Sequence, residues 1–229
     1  MVIEYPSIKH LDLTEQTYRF LKDRILKREI QPGGKISVEE VARGLGVSRT
    51  PVVNALKMLE SDDLVEIFPR RGTFVTHLNT RDVAELFEIR LIIELHAAEQ
   101  VFYEGKITLF LDAIERPMLQ MQGAIAEGDY VDYETFISGD RDMHMNLVSF
   151  LNNRRLIQIY SDLNVHMQVA RAHYLDTVEN ALEAQREHEA MLNDINARDL
   201  NALKKDLSDH INNVRGRILT LLEEHGGKI

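Results

Sequence analysis

The sequence predicts a mostly α-helical protein with one small β-hairpin in its first third. After Thr80, apolar residues recur at i, i+3, i+4 spacing almost to the end of the chain, without Val/Ile/Thr alternation. Strand-like alternation is confined to residues 64–68 and 73–76. At 229 residues and 44% hydrophobic content, the chain exceeds a domain of about 100 to 150 residues and can form two cores. We therefore predict a mixed domain over 1–76, a linker over 77–80 and an all-α antiparallel helical bundle over 81–229.

Residues 37–46 predict the first of two closely spaced helices. Ser37 and Glu40 have the spacing of a capping box, in which the hydroxyl accepts from a backbone N–H and the carboxylate reaches back. Gly46 ends the segment at a turn that tolerates a positive φ. Between these ends, the apolar residues keep helical spacing: Val38, Val41, Ala42 and Leu45.

The second helix follows Val47, which we expect to be the buried residue of the turn. Ser48 is positioned to cap this helix, and Pro51 falls within its first turn, where a missing N–H costs little. One face is apolar and is predicted to turn inward, with Val52, Ala55, Leu56 and Leu59. The opposite face carries side chains able to reach phosphates or base edges in a major groove, namely Arg49, Thr50, Asn54 and Lys57.

The two alternating segments predict strands joined by a turn over Pro69–Gly72. Arg70 and Arg71 lie beside the glycine at a tip that can contact backbone phosphate or a minor groove. Helix, turn, helix and hairpin in this order indicate a winged helix-turn-helix; each part alone is common, but the ordered set is far more specific. The predicted DNA-binding residues are Ser48, Arg49, Thr50, Asn54, Lys57, Arg70, Arg71 and Gly72.

These residues also resemble the GntR family of bacterial repressors. The resemblance rests on Ile30–Ile36, Leu45–Val52, Ala55-Leu56, Leu59-Glu60, Leu64-Val65 and Arg71-Gly72. It covers about the first third of the chain and implies binding to double-stranded operator DNA. Members commonly carry Arg-Glu after the Pro-Val pair, where this chain has Val53-Asn54. Because one expected DNA contact is lost there, operator sequence and affinity do not transfer from relatives.

Composition restricts the class of protein further. Zero cysteines exclude disulfides and thiolate metal sites. No apolar run approaches the roughly 20 residues needed to cross a bilayer, and the first residues lack a basic-then-apolar signal pattern. We therefore expect a cytoplasmic bacterial protein that has no membrane partner.

The net charge of −10 is divided unevenly along the chain. Residues 1–76 hold 12 Lys and Arg against 11 Asp and Glu, whereas the remainder holds 15 against 26. The acidic charge therefore belongs to the second part, which we expect to face away from DNA. The near-neutral first part gathers cations on one helix and one hairpin tip, so it can still bind phosphates with strongly salt-dependent affinity.

The second part is predicted to be a series of amphipathic helices. The first begins at Asn79 or Thr80, either of which can cap it, and Asp82 near its start suits the helix dipole. The later helices are expected over 107–127, with Pro117 as a break or kink, and over 129–151, 153–175, 178–196 and 199–225.

Histidines and one aspartate in this part suggest a metal site. Asp140 and His144 are four residues apart, so they share one helix face about a turn apart. His188 and His210 would lie roughly 33 Å apart on a continuous helix, but a bend at residue 199, midway between them, brings both to the same height. Asp plus three His suits zinc or nickel, and manganese or iron stay open. Any one of these histidines alone is more often a surface or satisfied core residue.

This second part resembles the ligand-binding domain of the FadR branch of the GntR family. The resemblance rests on Asp140–His144, Asn153, Glu187-His188 and His210, with Met143 where phenylalanine is usual. It implies one divalent metal ion per chain inside a helical bundle, held by Asp140, His144, His188 and His210. It also implies a small carboxylate effector in the remaining coordination positions.

Arg90 is the first candidate to pair with such a carboxylate, because Arg90 followed by Glu94 resembles the pattern of this branch. The alternative is an ordinary Arg90–Glu94 pair within one helix, worth only about 0.2–0.5 kcal/mol. Arg171 is a second candidate, and His166 and His173 are weaker ones that helix periodicity alone does not place.

Together these features predict a transcription regulator whose operator affinity is controlled by a small organic acid bound beside the metal. Homodimerisation is expected, because a twofold protein matches a palindromic operator and one small winged helix makes too few contacts. A pure metal sensor stays open as an alternative. A metal-dependent enzyme is less favoured, since the chain has no zincin motif, Glu-x-x-His pair, phosphate-binding glycine loop or nucleophile elbow. We therefore do not expect an enzyme.

Overall fold

The computed structural model describes residues 13–125, 131–163, 177–224 and 226–227. The chain divides into two compact units, and the boundary falls between His77 and Leu78. Within the described ranges, no helix is both long enough and apolar enough to cross a lipid bilayer. The mostly helical fold with an N-terminal winged helix-turn-helix is confirmed.

The first unit contains three helices and three short strands. They are α1 (Leu13–Leu26), β1 (Lys35–Ile36), α2 (Val38–Leu45), α3 (Arg49–Ser61), β2 (Val65–Phe68) and β3 (Gly72–Val75). The strands form one antiparallel sheet in the order β1-β3-β2. The predicted hairpin is therefore present, although its strands begin one residue away from the expected positions, and β1 adds a third strand that the sequence pattern did not indicate.

The core of the first unit lies between α1 and α3. Leu21 of α1 and the apolar stripe of α3 are almost fully buried, including Val52, Leu56 and Leu59. The stripe predicted for α3 therefore faces inward. Helix α1 was not predicted. It buries only three residues, at a spacing of four positions, and one of them is polar: Thr17, Leu21 and Ile25. So short an apolar stripe is a weak signal of a helix.

The caps of the helix-turn-helix agree only in part with the sequence prediction. The Ser37 hydroxyl accepts from the backbone N–H of Glu40 at 3.3 Å, and Gly46 ends α2 with a left-handed φ of 66°. Ser48 occupies the N-cap position of α3 but makes no side-chain capping bond, so the predicted cap is wrong. This helix end is exposed, which leaves its first amides to water. Val47 is half-buried rather than buried.

All the named elements of the second unit, within the described residues, are helices. They are α4 (Thr80–Tyr103), α5 (Ile107–Ala124), α6 (Tyr133–Ser149), α7 (described over 154–163), α8 (Val178–Ala197) and α9 (Leu200–Glu224). Of the two predicted caps of α4, Asn79 or Thr80, the structure has Asn79, and Asp82 completes a capping box with it. Helix α5 ends three residues before the predicted end and α6 starts four residues after its predicted start, and the only bridge in the described part of this unit pairs Ile125 with Val131.

Pro117 does not break α5, which runs continuously through it. A proline at this position deprives the carbonyl of Ala113 of its usual helical donor. The side-chain amide of Asn146 in α6 donates to that carbonyl at 2.8 Å. Of the predicted break or kink, the break is therefore wrong, because a neighbouring helix satisfies the group that the proline leaves without its helical partner.

Gly139 allows α5 and α6 to approach closely. A Cβ atom at this position would lie 2.7 Å from Cγ of Met121 and 3.0 Å from the carbonyl oxygen of Pro117. The next residue in α6 is Asp140, so this contact sets the height of that side chain against α5.

The hairpin predicted at residue 199 is present between α8 and α9. Arg198 ends α8 with a left-handed φ of 57°, and the Asp199 carboxylate accepts from the backbone N–H of Ala202 at 3.0 Å. Because the two helices run back along each other, His188 and His210 become neighbours, with ring centroids 4.7 Å apart.

Candidate metal centre and nucleic-acid interface

The outer face of α3 carries exposed polar side chains. Arg49, Thr50, Asn54 and Lys57 are all exposed, and the apolar residues between them are buried except Val53. Arg49 forms an exposed ion pair with Glu39 of α2 at 2.8 Å, which contributes little to stability because both groups stay in water. The cations and the amide on this face are therefore available to a partner, and their contacts with it would not disturb the packing of the core.

The tip between β2 and β3 is a tight turn with a cationic surface. The backbone N–H of Arg71 donates to the carbonyl of Phe68 at 3.1 Å, and Arg70 adopts a positive φ of 66°. Both arginines are exposed, and the Arg71 guanidinium lies over the Phe68 ring at 5.3 Å. Gly72 has a φ of 117°, a conformation that favours glycine.

Lys35 is a third cation at this tip, and the sequence reasoning missed it. A Cβ atom on Gly72 would lie 2.8 Å from Cε of Lys35, so the glycine makes room for the lysine side chain. Lys35 lies opposite Phe74 in the β1–β3 register, and its ammonium is 5.9 Å from the Phe74 ring centroid. Only the pairing of β1 with β3 could have shown this, because nearly 40 residues separate the two partners.

The second unit brings together the four residues that the sequence predicted as metal ligands. Asp140 and His144 come from α6, His188 from α8 and His210 from α9. Their exposures are 5%, 1%, 1% and 1% in that order. One candidate ligand atom from each residue lies within 4.8 Å of all the others. Nε2 of His188 and Nε2 of His144 lie 3.3 Å and 3.6 Å from the same carboxylate oxygen of Asp140.

Two further carboxylates fix the orientation of two imidazoles. Nδ1 of His144 lies 2.7 Å from a carboxylate oxygen of Glu94, and Nδ1 of His210 lies 2.7 Å from one of Glu187. Because an ionised carboxylate only accepts, each Nδ1 carries the proton and donates it. In a neutral imidazole with its proton on Nδ1, Nε2 keeps its lone pair, which is the arrangement that oriented metal-binding histidines use.

The nitrogens that face the middle of the cluster have no hydrogen-bond partner. This holds for Nε2 of His144, His188 and His210 in the described part of the chain. Burial, reinforced for His210 by the neighbouring imidazoles, lowers the pKa of His188 and lowers that of His210 still further. Neutral imidazoles with unused lone pairs are ligands for a cation, whereas buried polar atoms without partners are otherwise rare.

The distances also fit a small cation. Ligands about 2.0–2.2 Å from a tetrahedral zinc ion lie roughly 3.3–3.6 Å from one another. The two imidazole–Asp140 separations of 3.3 and 3.6 Å fall in that range. Three nitrogens and a carboxylate oxygen form a donor set that suits zinc or nickel. The residues present therefore fit a divalent metal.

Arg90 lies fully buried beside this cluster. Its Nε donates to Glu94 at 2.5 Å, and the Tyr160 hydroxyl donates to the same carboxylate oxygen at 2.5 Å. Burial alone would raise the pKa of Glu94, but the charges of Arg90 and His144 and the hydrogen bonds from His144 and Tyr160 together outweigh it and hold that pKa far below its ordinary value. Glu94 is therefore an ionised carboxylate at neutral pH.

The guanidinium of Arg90 still has donors to spare. Both of its terminal nitrogens are buried and have no hydrogen-bond partner among the described residues. Burial and the imidazoles of His188 and His144 are the main causes of the lowered pKa of His210, and the positive charge of Arg90 adds to them. The guanidinium is therefore close enough to act on the cluster electrostatically. The intrahelical pair with Glu94 does not exclude a guanidinium that faces a ligand, because the pair uses only Nε and leaves the two terminal nitrogens available.

The remaining predicted site residues fall elsewhere. Arg171, His166 and His173 lie outside the described residues. The sequence did not indicate that Glu94 and Glu187 accept from the imidazoles, or that Tyr160 donates to Glu94. Glu94 and Glu187 do stand in the motifs that resemble the FadR branch. A small apolar cavity of about 20 Å³ adjoins His144 and His188, so one side of the cluster borders a region without polar groups.

Comparisons with known proteins match a family to each part of the chain. The family "Bacterial regulatory proteins, gntR family" matches residues 13–75, and the FCD domain matches residues 85–213. The HTH-type transcriptional regulator YdhC of Bacillus subtilis (strain 168) is 28% identical over 91% of this chain and 92% of its own length. The gluconate operon transcriptional repressor of Bacillus licheniformis is 25% identical over 86% of this chain and 82% of its own length.

A solved structure shows the same fold. Escherichia coli McbR/YncC superposes with a TM-score of 0.73 at 22% identity and covers 94% of this chain and 100% of its own. The match spans both units, and the FCD match alone covers more than half of the sequence. The chain therefore belongs to the GntR family of bacterial regulatory proteins, as a DNA-binding transcription regulator whose second unit is an FCD domain.

Proposed function

We propose that this regulator represses transcription as a homodimer and that a small carboxylate, bound beside a divalent metal ion, controls its affinity for operator DNA. In this proposal, residues 1–76 form the DNA-binding domain, 77–80 the linker and 81–229 the effector-binding and dimerisation domain. The observation that carries it is the buried cluster of three imidazoles and the Asp140 carboxylate, together with the two terminal nitrogens of Arg90 that have no partner within the described ranges.

The metal would be held by Asp140, His144, His188 and His210, with zinc or nickel as the expected ion. When bound, it supplies a positive charge that attracts a carboxylate. Glu94 and Glu187 keep two of the imidazoles in the ligating orientation. The burial of the whole cluster strengthens each electrostatic interaction within it.

The carboxylate would pair with the terminal nitrogens of Arg90, whose fork geometry suits a bidentate contact. Arg171 is proposed as a second contact on the basis of the sequence alone. The 20 Å³ cavity beside His144 is only about the size of a water molecule, so it does not by itself hold an organic acid. We therefore place the acid on the Arg90 side of the cluster.

The DNA contacts would come from the outer face of α3 and from the tip between β2 and β3. Ser48, Arg49, Thr50, Asn54 and Lys57 would lie in the major groove, and Arg70, Arg71 and Gly72 would contact the backbone or a minor groove. Lys35 adds a cation to that second contact. Two such units in a dimer would read two half-sites about 34 Å apart.

Exposed apolar side chains on the second unit support dimerisation. Ile89 and Ile92 lie one turn apart on α4, and Ile92 is 62% exposed. Leu109 of α5 is exposed to a similar degree, at 60%. Grouped apolar side chains of this size on a helical surface commonly mark protein contacts.

A test of the main proposal begins with the metal content of the purified protein, measured by native mass spectrometry. DNA binding of the zinc-loaded protein would then be measured by fluorescence anisotropy with a duplex selected from a random library, with and without a panel of small organic acids. We expect at least one acid to change DNA affinity in wild type but not in Arg90→Gln. A protein that binds no metal, or a response that persists in the variant, would contradict the proposal.

A metal-sensing regulator is the second candidate. It is favoured by the completeness of the ligand set, because Asp plus three His fills a tetrahedral site without any organic ligand. Titration with zinc in the absence of organic acids separates the two. A sensor changes its DNA affinity with ion concentration alone, whereas a structural metal leaves the response to the acid. In either case the coupling must be reciprocal, so DNA must change ligand affinity by the same factor.

A further inference from the structure

The exposed face of α3 contains one residue that does not match the polar character of the others. At 100° per residue, the exposed positions from 49 to 61 occupy one arc of about 140°, and the buried positions occupy the opposite arc. Every exposed residue in that arc is polar except Val53, which is 37% exposed. Val53 lies between Arg49 and Lys57 on the arc, not at its border with the core.

Asn54 follows Val53 in the chain, 100° further around the helix at one end of the exposed arc, and is exposed as well. Its side-chain amide has no hydrogen bond to another described residue that would hold it against the protein. The neighbouring arginine, Arg49, is by contrast paired with Glu39 at 2.8 Å. The second turn of α3 therefore presents a branched apolar group and an unoccupied amide, and no guanidinium.

These two groups have defined partners in a major groove. An asparagine amide pairs with adenine in a bidentate manner at N6 and N7, whereas guanine is read mainly by arginine or lysine. An apolar side chain contacts the C5-methyl group of thymine, which no other DNA base carries. We propose that Val53 and Asn54 make this regulator specific for adjacent A·T pairs, with Asn54 contacting adenine and Val53 contacting a thymine methyl group.

The alternative is that Val53 is an ordinary exposed apolar residue, which occurs singly on most protein surfaces. Its place inside the arc, between Arg49 and Lys57, argues against this, since it puts Val53 on the surface proposed to enter the groove, where the thymine methyl group is the apolar contact available. The inference rests on the proposed placement of α3 in the major groove.

The first experiment selects duplexes from a randomised 30-base-pair library with the full-length wild-type protein and with two variants. Wild type is expected to select A·T pairs at two neighbouring positions in each half-site. Asn54→Ala should reduce the preference for adenine at one of these positions by about tenfold and leave the other positions unchanged. Guanine at the contacted positions in wild type, or the same base preferences in Asn54→Ala, would overturn the proposal.

The second experiment removes one methyl group from the DNA. In the selected duplex, deoxyuridine replaces the contacted thymine and so removes its methyl group. Wild-type affinity should fall by about fourfold, the effect of burying roughly one methyl group. Val53→Ala should show a clearly smaller difference between the two duplexes. An equal loss in both proteins would show that Val53 does not contact the methyl group.

Lys57→Ala distinguishes this inference from the proposed placement of α3. A lysine on phosphate weakens binding to all sequences equally. If Lys57→Ala weakens binding uniformly while the Val53 and Asn54 variants leave base preference unchanged, only the assignment of A·T recognition fails. If none of the three variants affects DNA binding, the placement of α3 in the groove fails as well. All three residues are exposed, so the variants should fold as wild type does.

Discussion

The two units place their functional side chains in opposite environments. In the first unit, seven of the eight predicted DNA-binding residues are exposed, and Gly72 is half-buried. In the second unit, Arg90, Asp140, His144, His188 and His210 are all buried, together with the carboxylate of Glu94. An exposed cation stays hydrated and requires no partner, whereas a buried ion must be paired or it destabilises the fold.

This difference separates what substitutions do in each unit. In the first unit, a change on α3 or at the tip should alter DNA affinity with little effect on the free energy of unfolding. In the second unit, a change in the cluster should alter ligand binding and stability together, since the same contacts do both. The predictions below test this division, from the largest expected effect to the smallest.

Metal binding should give the largest effect. With free zinc at a thousandfold excess over its dissociation constant, the free energy of unfolding should rise by about 4 kcal/mol. For a chain of this size, that corresponds to an increase in melting temperature of roughly 8–16 °C, measured by calorimetry with and without a chelator. His188→Ala should lose most of the increase, and His96→Ala, which changes an exposed histidine of α4, should keep it. Equal behaviour of the two variants would contradict the assigned ligands.

Replacement of Glu94 tests the buried charges in the absence of metal. Glu94→Gln leaves the fully buried Arg90 without its paired charge, so the free energy of unfolding should fall by about 3 kcal/mol in chelator. Glu88→Gln removes the same charge from an exposed position of the same helix and should change it by less than about 0.5 kcal/mol. Denaturant melts of both variants, followed by circular dichroism, measure the difference. A small loss in Glu94→Gln would mean that Arg90 finds another partner.

Two glycines test whether close helix packing supports the cluster. Gly139→Ala places a methyl group against Met121 and the backbone of Pro117, and should lower the free energy of unfolding by about 1–3 kcal/mol and weaken zinc binding. Gly216→Ala has open space around it in α9 and should raise stability by up to about 1 kcal/mol. Opposite signs in thermal melts support the close contact of α5 and α6, and the same sign in both would argue against it.

The smallest effect on stability is expected at the DNA-binding face. Lys57→Ala should weaken DNA binding and reduce the slope of log affinity against log salt by about 1, since one phosphate contact is lost. Its melting temperature should stay close to that of wild type. Lys205→Ala makes the same charge change on an exposed position of the second unit and should leave the salt slope unchanged. Anisotropy titrations at several salt concentrations give both slopes; a slope unchanged by Lys57→Ala would remove this residue from the interface.

The sequence predicted more of the second unit than of the first. Helical periodicity placed both ends of α8 and α9 and the start of α4 within about one residue of the observed bounds, and the i, i+4 spacing correctly put Asp140 and His144 on one face. The bend at residue 199 was read from a helix end followed by a capping aspartate, and it brought His188 and His210 together. Strand β1 was not predicted, because a two-residue strand has no periodicity of its own. Helix α1 was not predicted because it buries only three residues, one of them polar.

The sequence by itself determined features that depend on neighbours along the chain: amphipathic faces, capping residues, turn glycines and the spacing of the ligands. Tertiary structure alone decided which distant groups meet. It brought Glu94 and Glu187 to the imidazoles, left two nitrogens of Arg90 without a partner among the described residues, placed Lys35 beside Gly72 and gave the carbonyl freed by Pro117 a donor from α6. The physical reason is that local patterns repeat with the period of the helix or strand, whereas a contact between distant residues depends on how whole elements pack.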